Sequence, residues 1–231
     1  MQAMNAHGML SVNETFVSIQ GEGGLIGSPT LFIRLDGCPL RCTWCDTPYA
    51  LEGDAGKSMT TEELAALAAD HHHIVITGGE PLAQDIAPLV QALRGNHITV
   101  ETSGTIFADL PGVALFSISP KVGTSGYTPK PVVLRKFFAT AAGRMQLKFV
   151  IGDARDLAEA ATLLSSLGEA LPANTPIVLQ PESGRAGSGE SYMRFMEWLT
   201  ASVLEDPAWK RYEVRILPQL HYLLWHGAPG R

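Results

Sequence analysis

The sequence predicts an α/β fold: an incomplete, open parallel β/α barrel of about six strands, built as a single domain over residues 1–231. Three observations carry this. Short apolar runs alternate with helical segments about seven times, the pattern of a parallel sheet buried on both faces. Seven short units in 231 residues fall below the ~250 typical of a closed eightfold barrel. Polar segments with Gly and Pro follow the apolar runs, where barrel-like and doubly wound sheets alike carry their sites. The composition agrees: 45% apolar and 17% charged residues exclude disorder. A net charge of −6 argues against a chain built to grip nucleic acid. No apolar run approaches the ~18 residues of a membrane span, and the start lacks a signal-peptide pattern. A soluble, cytoplasmic protein without a membrane or nucleic-acid partner is expected.

Each element has its own signal. Residues 1–30 form an extended N-terminal segment, with partial alternation over Val12–Gln20 broken by Gly21-Glu-Gly-Gly24. Leu31–Asp36 reads as a buried strand, followed by a loop holding Gly37, Pro39 and Pro48. Thr60–Ala69 is a helix, with Thr60 as N-cap and Glu63 completing a capping box. His71-His-His73 reads as a solvated helix end. Strand Ile74–Thr77, helix Leu82–Leu93 and strands Ile98–Thr102 and Leu115–Ser119 follow. Residues 122–143 are ambiguous, with loop signals at both ends. Strand Gln146–Ile151, helix Ala154–Leu167, strand Pro176–Gln180, helix Glu190–Leu204 and strand Glu213–Leu217 complete the alternation, and 222–231 form a tail.

The three cysteines, Cys38, Cys42 and Cys45, fall in one loop. An odd number without a secretion signal argues against a disulfide framework. Structural zinc normally takes four protein ligands, and the nearest histidines, His71-His-His73, lie in another unit. Three thiolates suit a [4Fe–4S] cluster with one iron left open to a small molecule. The plainer reading is three buried structural cysteines, for which a Gly/Pro loop is poor core material.

Cys38-x3-Cys42-x2-Cys45 at the end of a first strand, with Thr77-Gly-Gly-Glu-Pro81 after another, resembles the radical S-adenosylmethionine (SAM) superfamily. That resemblance implies an open iron that binds the amino and carboxylate groups of SAM. The Gly-Gly-Glu segment would hold the cofactor's amino end, and Trp44 would stand near the adenine. From about Asn13 to His221 the chain resembles 7-carboxy-7-deazaguanine synthases. Phe16-Val-Ser-Ile-Gln-Gly-Glu-Gly23, Arg34, Asp46-Thr47, Ser119-Pro-Lys121, Gln180-Pro-Glu182 and Pro218-Gln-Leu-His221 carry it. It implies that Ile19, Gln20, Gly21 and Thr77 contact a pterin and that Arg34 binds its carboxylate. Trp44, Cys45, Asp46, Gly79, Glu80, Ser119, Pro120, Lys121, Gln180, Pro181 and Glu182 would surround SAM, and the Thr47 hydroxyl would help hold Mg²⁺. Taken singly, Gln20-Gly-Glu-Gly23 is a plain turn, Arg34 a salt-bridge residue at a sheet edge, and Lys121 and Lys148 solvated lysines. Their joint occurrence in order separates the two readings.

The implied reaction removes the C6 hydrogen of 6-carboxy-5,6,7,8-tetrahydropterin with a 5′-deoxyadenosyl radical, contracts the ring and releases ammonia. An electron donor such as flavodoxin or ferredoxin and a homodimer are implied with it. Two other classes share part of the pattern. A glycyl-radical activating enzyme has the cysteine triad and the Gly-Gly-Glu-Pro turn but no need of Arg34 or a magnesium-binding Thr47. An iron–sulfur electron-transfer protein would want a fourth cysteine, which the chain lacks.

Overall fold

The computed structural model describes residues 8–226, 228 and 230. β1 (Met9–Ile19) and β2 (Pro29–Leu35) pair antiparallel, with Glu14 opposite Arg34 and Phe16 opposite Phe32. β3 (Lys57–Thr60) adds to the free side of β1. No sequence signal marks β3, because a short polar edge strand has too few residues for a period to register. Thr60 then caps α1 (Thr61–Ala68) through the expected box: its hydroxyl accepts from Glu63 N, and the Glu63 carboxylate accepts from Thr60 N.

The repeating part follows as β4 (His73–Gly78), α2 (Ala87–Ala92), β5 (His97–Thr102), β6 (Leu115–Ile118), α3 (Pro131–Ala141) and β7 (Met145–Ile151). It continues with α4 (Ala154–Leu167), β8 (Pro176–Pro181), α5 (Ser183–Ala186), α6 (Glu190–Glu205), β9 (Glu213–Ile216) and α7 (Leu220–Trp225). All strands join one sheet in the order β3-β1-β2-β4-β5-β6-β7-β8-β9. From β2 to β9 every neighbour is parallel. Each parallel strand lies beside the next in the chain, with no reversal of order. A doubly wound sheet reverses at its switch point, so this is the open barrel, with seven parallel strands rather than about six. Among the described helices none is long and apolar enough to cross a membrane.

Strict alternation divides the sheet into two different faces. Ile33 and Leu35, Ile74 and Ile76, Ile98 and Val100, Leu147 and Phe149, and Ile177 and Leu179 all join one apolar core. The helices close this face: α4 packs on β7, and α6 on β8 and β9. The residues between them point to the other side. There the register aligns Arg34 with Thr77, Glu101 with Ser117 and Ser117 with Gln146. A row of polar side chains therefore crosses the concave face, and several of them are buried.

Four expectations need correction. The helix expected over Leu82–Leu93 is only α2, preceded by a separate 3-10 turn at Pro81–Ala83. Pro88 lacks an N–H and would clash with the preceding turn, so it belongs in the first turn of a helix. The ambiguous residues 122–143 hold a 3-10 turn at Gly123–Ser125 and the helix α3. His73 is not a solvated helix end: it opens β4, is 4% exposed, and pairs with Thr30 Oγ1 (2.8 Å) and Thr99 Oγ1 (2.9 Å). The tail after His221 begins inside α7, while Pro229 and Arg231 lie outside the described residues.

Candidate active site

The carboxyl ends of the parallel strands surround one cavity. Its floor is the polar row. Glu101 accepts from Thr77 Oγ1 (2.9 Å) and from Gln20 Nε2 (3.0 Å), joining β4, β5 and the end of β1. Arg34 Nε donates to Glu14 Oε1 at 2.8 Å, and Tyr49 donates its hydroxyl to the same oxygen. The salt bridge exists, but β2 lies between β1 and β4 rather than at a sheet edge, and Arg34 also lines the cavity. Burial works against the guanidinium charge, and Tyr49, Glu14 and Asp46 outweigh it, keeping Arg34 a cation.

The rim is the cysteine loop. Cys38, Cys42 and Cys45 are free, partly exposed thiols on the cavity wall. Burial pushes the Cys38 and Cys42 thiols up. Three thiols on one wall, with no fourth cysteine in the chain, are a donor set that fits a [4Fe–4S] cluster, in which each thiolate takes one iron. Thr47 and Asp46 add hydroxyl and carboxylate oxygens 3.4 Å apart on the same wall, a donor set suited to a hard cation. Trp44 stands beside them with Lys121 Nζ 5.2 Å from its ring centroid, and Lys121 also donates to Ser119 Oγ.

Gly78 and Gly79 of the Gly-Gly-Glu turn line the cavity, and the turn also has a packing role. A β-carbon on Gly78 would come within 2.2 Å of Leu35 O, and one on Gly79 within 2.3 Å of Gly37 O. The bare backbones let β4 lie against the chain leading into the cysteine loop, with Glu80 N donating to Gly37 O at 2.9 Å. Glu80 itself is fully buried. Its carboxylate accepts from Leu82 N, Thr102 Oγ1, Ser103 N and Ser103 Oγ, so it braces strand ends rather than facing a ligand.

The wall opposite the cysteines is a buried charge network. Lys148 of β7 and Glu22 form an ion pair with side-chain exposures of 9% and 11%. Glu22 also accepts from Gln180 Nε2 (2.8 Å) and Gln219 Nε2 (2.6 Å). Burial opposes its charge, but the Lys148 ammonium, the His221 ring and the Gln219 donor hold its carboxyl well below the ordinary range. Burial likewise opposes the Lys148 charge, and Glu22 and Glu101 push its pKa up to about 12. His221 closes the wall, its ring set so tightly on Gly21 that a β-carbon there would lie 2.0 Å from Nδ1.

The family model of the radical SAM superfamily matches residues 32–122. The 7-carboxy-7-deazaguanine synthase of Halobacterium salinarum is 33% identical over 95% of this chain and 92% of its own length. That of Pyrobaculum aerophilum is 32% identical over 99% and 100%. The chain belongs to the 7-carboxy-7-deazaguanine synthase family. The synthase of Rhodopirellula baltica is 42% identical over 65% of each chain. The crystal structure of QueE from Escherichia coli matches with a TM-score of 0.68 and 28% identity, over 94% of this chain and 99% of that one.

Of the residues that resemblance to the synthase family singles out, Ile19, Gln20, Gly21, Arg34, Thr77, the three cysteines, Trp44, Asp46, Thr47, Gly79, Ser119, Lys121 and Glu182 line the cavity. Glu80, Pro120, Gln180 and Pro181 do not; Gln180 reaches the site only through Glu22, and Pro120 faces a second groove. Glu182 caps α5, accepting from Gly184 N and Arg185 N. Sequence reasoning assigned no role to Glu22, Glu101, Ser117 and Gln219, and weighed Lys148 as a solvated lysine against a place in the site. The available signal was the alternation in Gln146-Leu-Lys-Phe-Val: polar residues at every second position of an otherwise apolar strand mark a face lined for something polar.

Proposed function

We propose that this chain converts 6-carboxy-5,6,7,8-tetrahydropterin to 7-carboxy-7-deazaguanine and ammonia, as a radical SAM carbon–nitrogen lyase. The observation that carries the reading is the polar row on the concave face: Arg34, Thr77 and Glu101 stand on successive strands beside the three thiols. When bound at Cys38, Cys42 and Cys45, a reduced [4Fe–4S] cluster with SAM supplies a 5′-deoxyadenosyl radical. The chain does the positioning. Glu14 engages only Nε of Arg34, leaving the terminal amino groups to grip a carboxylate as a fork, which fixes the adjoining carbon. Glu101 and Glu22 offer charged acceptors to the N–H groups of a pterin ring. Thr47 and Asp46 would hold Mg²⁺ against the substrate's oxygens, and Trp44, Gly79, Ser119, Lys121 and Glu182 would surround SAM. Apolar residues such as Phe16, Phe32, Leu40 and Val150 also line the cavity and help keep water from a radical.

The same family relationship supports a flavodoxin- or ferredoxin-type electron donor, a homodimer and a cytoplasmic setting. Anaerobically reconstituted protein, given SAM, reductant and the carboxypterin, should yield the deazaguanine and ammonia. Alanine at any of the three cysteines should abolish both iron loading and product. Tightly bound zinc, or SAM cleavage with the pterin left intact, would refute the reading. The glycyl-radical activase and electron-transfer readings find no support in the relatives.

A further inference from the structure

Within the triad, Leu40 N donates to Cys38 Sγ, the Arg41 guanidinium to Cys38 O and Leu40 O, and Cys45 N to Cys42 O at 3.2 Å. The part of the loop from Arg41 to Trp44 is also held from outside, by the 3-10 turn Gly123–Ser125 and the residues after it. Thr43 and Trp44, the two residues between Cys42 and Cys45, both bond to Thr124: Thr43 Oγ1 donates to Thr124 O, and Trp44 Nε1 to Thr124 Oγ1 at 3.1 Å. Thr43 N donates to Ser125 O, and Arg41 N to the Tyr127 hydroxyl. Thr124 is in turn held by Asp156 of α4, a fully buried carboxylate. Asp156 accepts from Thr124 N (2.6 Å), Thr124 Oγ1 (2.6 Å) and Gly152 N (2.7 Å).

The polarity of this chain of bonds is forced. A carboxylate only accepts and an indole N–H only donates, while a hydroxyl has one proton and two lone pairs. The Thr124 hydroxyl must therefore donate to Asp156 and accept from Trp44. Lys121 steadies the ring from a second direction. Asp156 and Thr124 are absent from every motif the family resemblance rests on, and neither lines the cavity.

We propose that Thr124, oriented by Asp156, is a positioning residue that presets Trp44 and the spacing of the cysteine thiols before any cofactor binds. The inference rests on the reading in which this loop holds the cluster and SAM, and it extends that reading to the connection after β6 and to helix α4.

Thr124→Val is nearly isosteric and removes both hydroxyl bonds, whereas Thr124→Ser keeps them. In the metal-free protein, amide hydrogen exchange at residues 41–46 should speed about tenfold in the valine variant, the factor that corresponds to one net hydrogen bond. It should stay within about twofold of wild type in the serine variant. After reconstitution, SAM affinity, read from the change it causes in the paramagnetic resonance spectrum of the reduced cluster, should fall about tenfold for valine and recover for serine. Unchanged exchange and affinity in a folded valine variant would overturn the proposal, as would a serine variant as impaired as valine. Should the valine variant fail to fold, Trp44→Phe removes the same bond from its other end: the proposal stands if loop exchange rises as above, and falls if it does not. The exchange arm needs no cluster, so it reads the clamp even if wild-type protein fails to load iron, an outcome that would sink the functional reading alone.

Discussion

Glu22→Gln tests whether the charge network behind the cavity is a structural necessity. The substitution keeps the shape of the side chain and removes its charge. It leaves the Lys148 ammonium, 9% exposed, without its ion-pair partner. It also sets an amide NH₂ among the donors of Lys148, Gln180 and Gln219, which now converge on a carboxylate. Breaking a buried ion pair from one side costs about 3–5 kcal/mol, because the remaining charge stays desolvated. For a chain of 231 residues, ~2–4 °C per kcal/mol turns this into a fall in Tm of roughly 6–20 °C. The pH window follows from the two shifts. The depressed Glu22 pKa stabilises the fold above its unfolded value near 4.5, a gain lost only in acid. The raised Lys148 pKa stabilises it below 10.5, a gain lost as pH rises through about 12. Both contributions are complete at pH 7, so urea denaturation of metal-free protein belongs there. Lys148→Met in the Glu22→Gln background should recover part of the loss, since removing both charges is often near neutral. A Glu22→Gln cost below about 1 kcal/mol, or strict additivity in the double variant, would refute the reasoning.

Four further outcomes are expected. Arg34→Lys should weaken carboxypterin binding by roughly 30-fold or more, because a point charge replaces a fork; cluster content and SAM cleavage should hold, and unchanged binding would leave Arg34 a partner of Glu14 only. Gly21→Ala should raise KM for the pterin about tenfold or more by driving His221 off its seat, and a normal KM would show that the His221 wall yields freely. Thr47→Ala should lower turnover much more than iron content and alter its dependence on added Mg²⁺; full rate with wild-type magnesium dependence would make Thr47 a loop residue. His73, facing Thr30, Thr99, His72 and His97, is buried neutral, with its pKa lowered from 6.5 to about 4. The unfolded chain therefore binds the extra proton first, and stability should decline as pH falls from about 6.5 to about 4, by up to ~3 kcal/mol. His73→Gln should flatten that decline, and an unaltered slope in urea titrations would show that the proton is taken up elsewhere.

The sequence by itself determined the strand–helix alternation, the cysteine loop and the caps at Thr60 and Glu63, because these depend on neighbours a few residues apart. Periodicity, ligand spacing and capping chemistry are all local. Residue order also carried the family pattern, and Arg34, Thr77 and Thr47 do reach the cavity. Tertiary structure decided what depends on register between strands and on contacts far along the chain. Whether the sheet wound once or twice rested on strand order, which alternation leaves open. Glu22 meets Lys148, Gln180 and Gln219 only because the glycine-rich turn after β1 folds over the far strands. Lys148 looks solvated in the sequence because its charge partner lies 126 positions away. Glu80 looks like a ligand-binding carboxylate until Thr102 and Ser103 are seen to saturate it. Thr124 carries no signal at all, since its importance comes from a helix carboxylate on one side and an indole on the other. Only the folded sheet and its connections bring these together.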